Sequence, residues 1–294
     1  EKDVGVHVKE VSQFEERIGL APTARKGLPP SACYRLYMDL AIPSRYRRVL
    51  YLDGDVRVVG DVSRLFDLDL QSHTFAAVPD GWIFVRAEDD STDTPAYLRR
   101  LGLDDLKLPY FNSGVLLIDV ERWLNNDTGN RIMADVRANL SIFPFLDQCA
   151  LNRMFRDNYQ VMSPVWNFQF HIDPAGELTD VLVPSVLHYP GPGKPWEPVR
   201  WRYGPTHPAA YRAFLRSSPR PHFGSIRDER PSWKDLRRHL RRRVRRTVLG
   251  QKFSTRPDQQ LDLVRYKEHL RTFRFADVQQ GLVVPDRAGR LTAS

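Results

Sequence analysis

Two aspartates separated by one glycine follow an apolar run, and these residues are well suited to metal chemistry. Asp53, Gly54 and Asp55 come directly after the sequence Val-Leu-Tyr-Leu of residues 49–52. Side chains at i and i+2 of an extended backbone point to the same side, so both carboxylates would lie together at a strand end. Carboxylate oxygens suit hard cations such as Mg²⁺ and Mn²⁺, which often hold a substrate's phosphates as well. The tripeptide therefore indicates a metal–nucleotide site, although Asp-Gly is also common in plain turns.

The elements that would position these aspartates follow from the hydrophobic pattern. Short apolar runs alternate with segments of helical periodicity, which is typical of an α/β fold with a mostly parallel sheet flanked by helices. Strands are predicted at residues 4–8, 48–52, 75–78, 110–119 and 181–189, and helices at about 11–18, 32–40, 130–139 and 147–155. Ser31 is the predicted N-cap of the second helix, which Pro43 closes. Ligands of such sheets bind beyond the carboxyl ends of the strands, where the aspartates fall.

The composition excludes several classes of protein. Hydrophobic residues make up 41% and charged residues 27% of the chain, which is ordinary for a globular protein. No apolar run has the length of a membrane span and no signal peptide is visible. Cys33 and Cys149 are too few for a disulfide framework, which fits a reducing cytoplasm. The chain begins at Glu1 with an immediate strand pattern, which is typical of a fragment or a processed product.

The net charge of +8 is concentrated in one segment. Residues 232–250 contain eight cations and a single acid, and so supply +7 of it. Apolar residues recur there at three- and four-residue spacing, which predicts an amphipathic helix with arginine over the rest of its surface. Such a helix suits an anionic membrane surface. Nucleic-acid binding and an ordinary solvated helix packed on the domain are the alternatives.

Further polar residues accompany the predicted elements in a fixed order. They are Asn112 and Ser113 just ahead of the apolar run 115–118, Asp147 and Gln148 at the start of a helix, and His188 at a strand end. The loop after His188 contains glycines, which let a backbone approach a phosphate, and Lys194, which can neutralise one. Each residue alone could equally be a turn former, a helix cap, a packed histidine or a solvated cation.

In this order the segments resemble the family 8 retaining glycosyltransferases, the group that contains bacterial lipopolysaccharide galactosyl- and glucosyltransferases and glycogenin. The segments that carry the resemblance are YRLYMDL (34–40), VLYLDGDVRVVGD (49–61), YFNSGVLLIDVERW (110–123), FLDQCALNRMF (145–155) and LHYPGPGKPW (187–196). The resemblance implies a GT-A, Rossmann-like fold. It also implies transfer of a hexose, glucose or galactose, from a UDP-sugar with retention at the anomeric carbon.

The same resemblance implies roles for individual residues. Asp53, Asp55 and His188 match the protein ligands of a divalent metal, Mn²⁺ or Mg²⁺. The positions that match donor-binding residues are Arg35, Asp53, Gly54, Asp55, Asp80, Asn112, Ser113, Gly191 and Lys194. Gln148 matches the polar residue beneath the anomeric carbon, and Asp147 is its neighbour. These last two are the predicted catalytic residues.

Retention requires either a covalent intermediate or attack from the face that the leaving group occupies. An amide is a poor nucleophile, so we expect same-face attack, with Gln148 stabilising positive charge at the anomeric carbon. The metal and Lys194 would stabilise the departing UDP. Cys149 stands where relatives often carry an acidic residue, which argues against a nucleophile at that position.

The predicted organisation has three parts. Residues 1–215 form the GT-A catalytic domain, 216–250 a basic amphipathic segment that associates with a membrane, and 251–294 a tail without an assigned role. The family's first strand and helix are expected to be absent, and with them part of the uridine pocket.

The favoured hypothesis is a cytoplasmic hexosyltransferase that lies on the inner face of the cell membrane. Its acceptor would be a lipid-linked glycan, such as a lipopolysaccharide core or another cell-envelope glycan, and residues 232–250 would bind the anionic leaflet. No nucleic-acid partner is expected. A catalytically inactive nucleotide-sugar-binding domain is one alternative. A metal-dependent phosphodiesterase is another, and it predicts further carboxylates around the metal.

Overall fold

A computed structural model describes residues 12–19, 30–43, 45–171, 177–191, 194–196, 206–217, 237, 241 and 257–294. The strand predicted at 4–8 lies outside the described residues. So does the basic segment 216–250, apart from residue 217, which ends a helix, and the exposed helical residues Arg237 and Arg241. No helix within the described ranges combines the length and the apolar character that crossing a bilayer requires.

The helices and strands alternate along the chain, as expected for an α/β fold. The α-helices are α1 (Ser12–Ile18), α2 (Gly81–Phe84), α3 (Thr94–Leu101), α4 (Val120–Asn125), α5 (Thr128–Ala138), α6 (Asp147–Phe155), α7 (Thr206–Ser217), α8 (Pro257–Thr272) and α9 (Ala276–Gln279). The strands are β1 (Arg48–Leu52), β2 (Val56–Val58), β3 (Phe75–Pro79), β4 (Phe111–Asp119), β5 (Gln160–Val161), β6 (Phe168–Gln169), β7 (Val186–His188), β8 (Val283–Pro285) and β9 (Leu291–Ala293). Short 3₁₀ helices cover Pro30–Leu40, Ser63–Asp67, Pro164–Trp166 and Glu177–Asp180.

The chain divides into two compact units. The first contains residues 1–52 and 65–162, and the second contains residues 53–64 and 163–294. The second unit includes residues on both sides of the domain boundary predicted at residue 215, and that boundary stays a prediction.

The first unit is built on a sheet with the strand order β1-β4-β3-β5. The apolar run of β4 is fully buried, as predicted. However, β4 runs antiparallel to both β1 and β3, and only β5 is parallel to its neighbour. Among the described strands the sheet is therefore mixed, and the expected mostly parallel arrangement is not found. A strand buried on both faces carries the same apolar signature in either direction, so the sequence pattern cannot report strand direction.

Strand β1 covers the predicted residues, but its side chains are half-buried along its whole length and not fully buried. Its position explains this, because β1 lies at one end of the strand order and pairs with β4 alone among the described strands. Its last residue, Leu52, leads directly into Asp53.

The helix predicted at 32–40 is a 3₁₀ segment, Pro30–Leu40, with a kink at Tyr37 (φ −113°, ψ 45°). Ser31 lies within its first turn and is not an N-cap. Tertiary contacts explain the irregularity, because the Leu36 carbonyl oxygen accepts a hydrogen bond from Trp123 Nε1 at 3.4 Å. Helix α5 also packs closely against this carbonyl at Gly129. A Cβ built at Gly129 would lie only 2.1 Å from the Leu36 oxygen.

The second unit contains a sheet with the order β2-β7-β6. Strand β7 runs antiparallel to β2, which pairs His188 with Val56, and parallel to β6, which pairs His188 with Gln169. The strand predicted at 181–189 is shortened to Val186–His188. His188 still ends it, as the sequence predicted.

The C-terminal residues 257–294 fold as part of the second unit. Helices α8 and α9 lead into the β8–β9 hairpin, and Leu291 forms a parallel bridge with Leu182. The buried carboxylate of Asp277 accepts hydrogen bonds from Ser163 N at 3.0 Å, Ser163 Oγ at 2.6 Å and Trp166 Nε1 at 2.8 Å. The segment that the sequence left without a role is therefore joined to the second unit by buried polar contacts.

Candidate functional site

The two aspartates lie on a turn between β1 and β2. The backbone N–H of Val56 donates to the Asp53 carbonyl oxygen at 3.2 Å, which closes a turn over Asp53, Gly54 and Asp55. The expectation of an extended backbone is wrong here. The i, i+2 alternation of a strand therefore does not bring the carboxylates together, and their proximity comes from the turn and from the neighbouring strand β7.

His188 completes a cluster with these two carboxylates. Its Nε2 lies 3.3 Å from Asp55 Oδ1 and 4.0 Å from Asp53 Oδ2. One potential ligand atom from each of the three residues lies within 4.8 Å of the other two. Two carboxylate oxygens and an imidazole nitrogen form a donor set that suits Mn²⁺ and accommodates Mg²⁺. The residues present therefore fit a divalent cation.

Two further residues contact this cluster. Asn167 Oδ1 lies 2.9 Å from His188 Nδ1, on the side of the ring opposite Nε2. Lys194 Nζ donates to Asp55 Oδ2, and it also donates to the Tyr189 carbonyl oxygen at 2.8 Å. Burial raises the pKa of Asp55, but the hydrogen bond and positive charge that His188 offers when protonated, together with those of Lys194, outweigh burial and lower the pKa to about 2. Asp55 is therefore a carboxylate at neutral pH.

Gly191 follows this group with a left-handed backbone, φ +78°, a conformation that side-chain-bearing residues rarely adopt. A Cβ built at Gly191 would have no neighbouring atom within 4 Å. Glycine is therefore favoured there by the backbone conformation and not by lack of space. The same open space surrounds Gly54.

The first unit holds a second group of predicted residues, linked by buried hydrogen bonds. Gln148 Oε1 accepts from Ser113 N at 3.0 Å and from Ser113 Oγ at 3.3 Å. Gln148 Nε2 donates to Asp80 Oδ2 at 3.3 Å, and Asn112 Nδ2 donates to the same oxygen at 3.2 Å. Asp80 also caps α2 by accepting from Ile83 N at 3.2 Å. Both the oxygen and the nitrogen of the Gln148 amide are thus hydrogen-bonded.

Arg35 and Asp147 form a buried ion pair beside this network. Arg35 Nε lies 2.8 Å from Asp147 Oδ2, and the two side chains are 4% and 3% exposed. The guanidinium also donates to the Ser113 carbonyl oxygen and lies over the Tyr51 ring at 4.3 Å. Asp147 is the first residue of α6, so it is not the helix cap. The cap position is Leu146, whose φ of 40° and ψ of −109° are unusual for a residue other than glycine.

Cys149 lies one residue beyond Gln148 and is fully buried. Its sulfur lies 3.3 Å from the Tyr97 hydroxyl and accepts a hydrogen bond from Phe145 N at 3.3 Å. Burial raises the pKa of the thiol, although these hydrogen bonds act in the opposite direction. A thiol that stays protonated is a weak nucleophile, so a covalent intermediate on Cys149 is disfavoured.

The structure therefore brings the predicted residues together in two groups, one in each unit. The second-unit group contains Asp53, Asp55, His188 and Lys194, and the first-unit group contains Arg35, Asp80, Asn112, Ser113, Asp147 and Gln148. Sequence reasoning missed Asn152 and Asn167. Asn152 has a weak local signal, because it lies four residues after Gln148 on α6 and donates to the Gln148 carbonyl oxygen at 2.8 Å. Asn167 carries no local signal, since its partner lies 21 residues away.

The chain is similar in sequence to several known proteins. General stress protein A of Bacillus subtilis (strain 168) is 29% identical over 181 residues, which cover 56% of this chain and 59% of that protein. Lipopolysaccharide 1,2-glucosyltransferase of Escherichia coli (strain K12) is 26% identical over 196 residues, which cover 63% of this chain and 54% of that protein. The chain thus spans little more than half the length of these relatives.

A solved structure and a family model extend the comparison. The crystal structure of the galactosyltransferase LgtC in complex with donor and acceptor sugar analogs superposes with a TM-score of 0.51 and 26% identity, covering 62% of this chain and 66% of that one. The α/β fold is the GT-A fold of glycosyltransferases, as predicted. The model of Glycosyl transferase family 8 matches residues 5–199, about two thirds of the chain. This protein therefore belongs to glycosyl transferase family 8.

Proposed function

We propose that this protein transfers a hexose, glucose or galactose, from a UDP-sugar to a glycan acceptor with retention at the anomeric carbon. The observation that carries the proposal is the Asp53–Asp55–His188 cluster, in which Lys194 donates a hydrogen bond to Asp55. This cluster lies in a chain that belongs to glycosyl transferase family 8. Mn²⁺ is the proposed cofactor, with Mg²⁺ as a substitute, because the donor set mixes oxygen and nitrogen.

The second-unit group would hold the diphosphate of the donor. Asp53, Asp55 and His188 would bind the divalent cation, which supplies positive charge to the departing UDP. Lys194 carries three donor protons on a flexible stem. Its ammonium can therefore exchange one contact on Asp55 for a phosphate oxygen and stabilise the leaving group directly.

The first-unit group would line the donor sugar and support the reaction at its anomeric carbon. Because Gln148 is an amide held by Ser113 and Asp80, it offers an oriented dipole and no anionic nucleophile. Asp147 is a carboxylate, but Arg35 neutralises it in a buried pair. We therefore propose attack by the acceptor from the face that UDP leaves, with Gln148 stabilising the positive charge that develops.

The acceptor proposed is a lipid-linked or cell-envelope glycan, such as a lipopolysaccharide core. Two observations support it: one of the relatives is a lipopolysaccharide glucosyltransferase, and residues 232–250 combine an apolar stripe with eight cations. The protein would then act in the cytoplasm, peripherally bound to the inner face of the cell membrane. A phosphodiesterase is less favoured, because within the described ranges the cluster gains no carboxylate beyond Asp53 and Asp55.

The proposal is tested by measuring UDP release from a panel of UDP-sugars with Mn²⁺, with and without glycan acceptors. We expect one donor to be hydrolysed slowly, and we expect Asp55→Asn to lower this rate roughly 100-fold or more because it removes a metal ligand. Asp61→Asn is the matched control, since Asp61 is an exposed acid in the same unit. Its carboxylate accepts a hydrogen bond from Ser63 N at 2.8 Å. Absence of turnover together with absence of Mn²⁺-dependent UDP binding would instead identify an inactive or incomplete domain.

A further inference from the structure

We propose that Asn167 is a positioning residue, which fixes the His188 tautomer so that the Nε2 lone pair faces Asp53 and Asp55. This inference rests on the proposed function, since it takes the Asp53–Asp55–His188 cluster as the site of the divalent cation. It adds to that site a residue that is not one of the proposed cation ligands and that acts through His188.

The contact between Asn167 and His188 is buried. The two residues are 1% and 2% exposed, and Asn167 Oδ1 lies 2.9 Å from His188 Nδ1. Asn167 directly precedes β6, whose residue Gln169 pairs with His188 in the parallel ladder. Its own backbone N–H donates to the Pro164 carbonyl oxygen at 3.3 Å. The sheet register therefore holds the backbone next to Asn167 alongside the backbone of His188.

Hydrogen-bond chemistry assigns the proton on the ring. An amide oxygen has no proton to give, so it can only accept from Nδ1–H. In a neutral imidazole the proton on Nδ1 leaves a lone pair on Nε2, the atom that lies 3.3 Å from Asp55 Oδ1. A lone pair and two carboxylates that converge on one point attract a cation. Holding the other ring nitrogen in this way is a general means of orienting a metal-binding histidine.

A reversed Asn167 amide would give His188 a different role. With Nδ2 donating to Nδ1, the ring proton would lie on Nε2 and be donated to Asp55. His188 would then orient Asp55 and would not bind a cation. The two arrangements differ in the position of one proton, which makes them distinguishable by experiment.

The test measures Mn²⁺ binding to the full chain by electron paramagnetic resonance, without nucleotide or sugar. We expect Asn167→Leu to weaken Mn²⁺ affinity roughly 10- to 100-fold, the usual effect of losing such a support. Asn167→Asp keeps an acceptor oxygen and should bind Mn²⁺ within a few-fold of wild type. Asn158→Leu is the matched control, because Asn158 Oδ1 makes the same type of contact with His73 Nδ1 at 2.8 Å on an exposed surface, and it should have no effect.

Nitrogen-15 NMR of the wild-type histidines gives a second readout that depends neither on activity nor on the Asn167 variants. We expect His188, identified by its loss in His188→Gln, to carry its proton on Nδ1. Wild-type Mn²⁺ affinity in a folded Asn167→Leu protein would overturn the inference and leave the proposed function standing. A proton on Nε2 would overturn the inference and also remove His188 from the proposed cation ligands. Failure of wild type to bind Mn²⁺ at all would overturn the proposed metal site together with the inference.

Discussion

The side chain of Gln148 is the clearest case in which hydrogen bonds restrict what a residue can do. Ser113 donates twice to its oxygen, and its nitrogen donates to Asp80. An amide held in this way keeps one orientation, and a nearby carboxylate, Asp147, is engaged by Arg35. The arrangement favours electrostatic support of the reaction over covalent catalysis.

Replacing Gln148 with methionine should therefore affect chemistry and leave binding largely intact. Gln148→Met keeps the shape of the side chain but loses its dipole, so we expect kcat for sugar transfer to fall roughly 10²- to 10³-fold, as when one oriented donor or acceptor is lost. Mn²⁺-dependent UDP affinity should change little. Steady-state kinetics and calorimetry separate the two effects, and Asn125→Met, on an exposed helix end, serves as control.

The retaining mechanism can be tested directly by looking for a covalent glycosyl-enzyme intermediate. Intact-mass spectrometry of wild type with donor alone should show no glycosylated protein. A hexose attached to Asp147 would contradict same-face attack and identify that carboxylate as the nucleophile. Attachment to Cys149 would contradict the disfavoured reactivity of its buried thiol.

Among the secondary-structure elements, α9 has a specific anchoring function. Asp277, on α9, accepts three hydrogen bonds from Ser163 and Trp166, at the 3₁₀ turn that leads toward Asn167 and β6. Asp277→Asn places an amide N–H against one of these donors, so we expect the free energy of unfolding to fall by about 2 kcal/mol. Chemical denaturation measures the loss, and Glu268→Ala, on the exposed side of α8, should change stability by less than about 0.5 kcal/mol.

The effect of Asp277→Asn should depend on pH. Burial raises the pKa of Asp277, although the hydrogen bonds from Ser163 and Trp166 partly oppose the rise. A carboxyl whose pKa is raised in the folded state contributes stability below its unfolded pKa, about 3.9, and loses that contribution as the pH rises through the folded pKa. The difference in unfolding free energy between wild type and Asp277→Asn should therefore be largest near about pH 4 and smaller at pH 8. A difference that grows with pH would contradict the raised pKa.

The distribution of charge over the whole molecule bears on where the protein acts. Outside residues 232–250 the chain carries a net charge of only about +1, so its attraction to anionic surfaces resides in one segment. Each Lys or Arg near an anionic bilayer contributes about 1 kcal/mol at low screening. An apolar stripe in the same segment would add binding that salt does not weaken.

We therefore expect the full chain to sediment with vesicles containing anionic lipid and not with neutral vesicles. Binding should weaken roughly 100-fold or more when five arginines of the segment are changed to glutamine, and it should weaken as salt is raised. The five are Arg241, Arg242, Arg243, Arg245 and Arg246. A control with the same loss of charge replaces the exposed arginines Arg45, Arg47, Arg99, Arg100 and Arg131. Preference for duplex DNA over anionic vesicles would contradict the membrane role.

Many element boundaries of this protein could be predicted from local sequence, because local sequence contains the hydrophobic periodicity and the residues at which helices and strands begin and end. The bounds of β1 agree with the prediction to the residue, α6 begins at Asp147 as expected, and His188 ends its strand. The ordered segments between 34 and 196 also led to the family that the comparison found. None of these inferences required knowing which residues meet in space.

Features that depend on distant partners required the tertiary structure. The direction of β4 is set by its connections and not by its apolar run, and the Asp-Gly-Asp segment is a turn because β2 must begin at Val56 and pair with β7. Asn167 is recognisable only once β6 and β7 are aligned. Arg35 meets Asp147, and Asp277 meets Ser163, across more than 100 residues of chain. The sequence supplies the chemistry of each of these residues, but the free energy of their contacts depends on burial and geometry that arise only when the chain has folded.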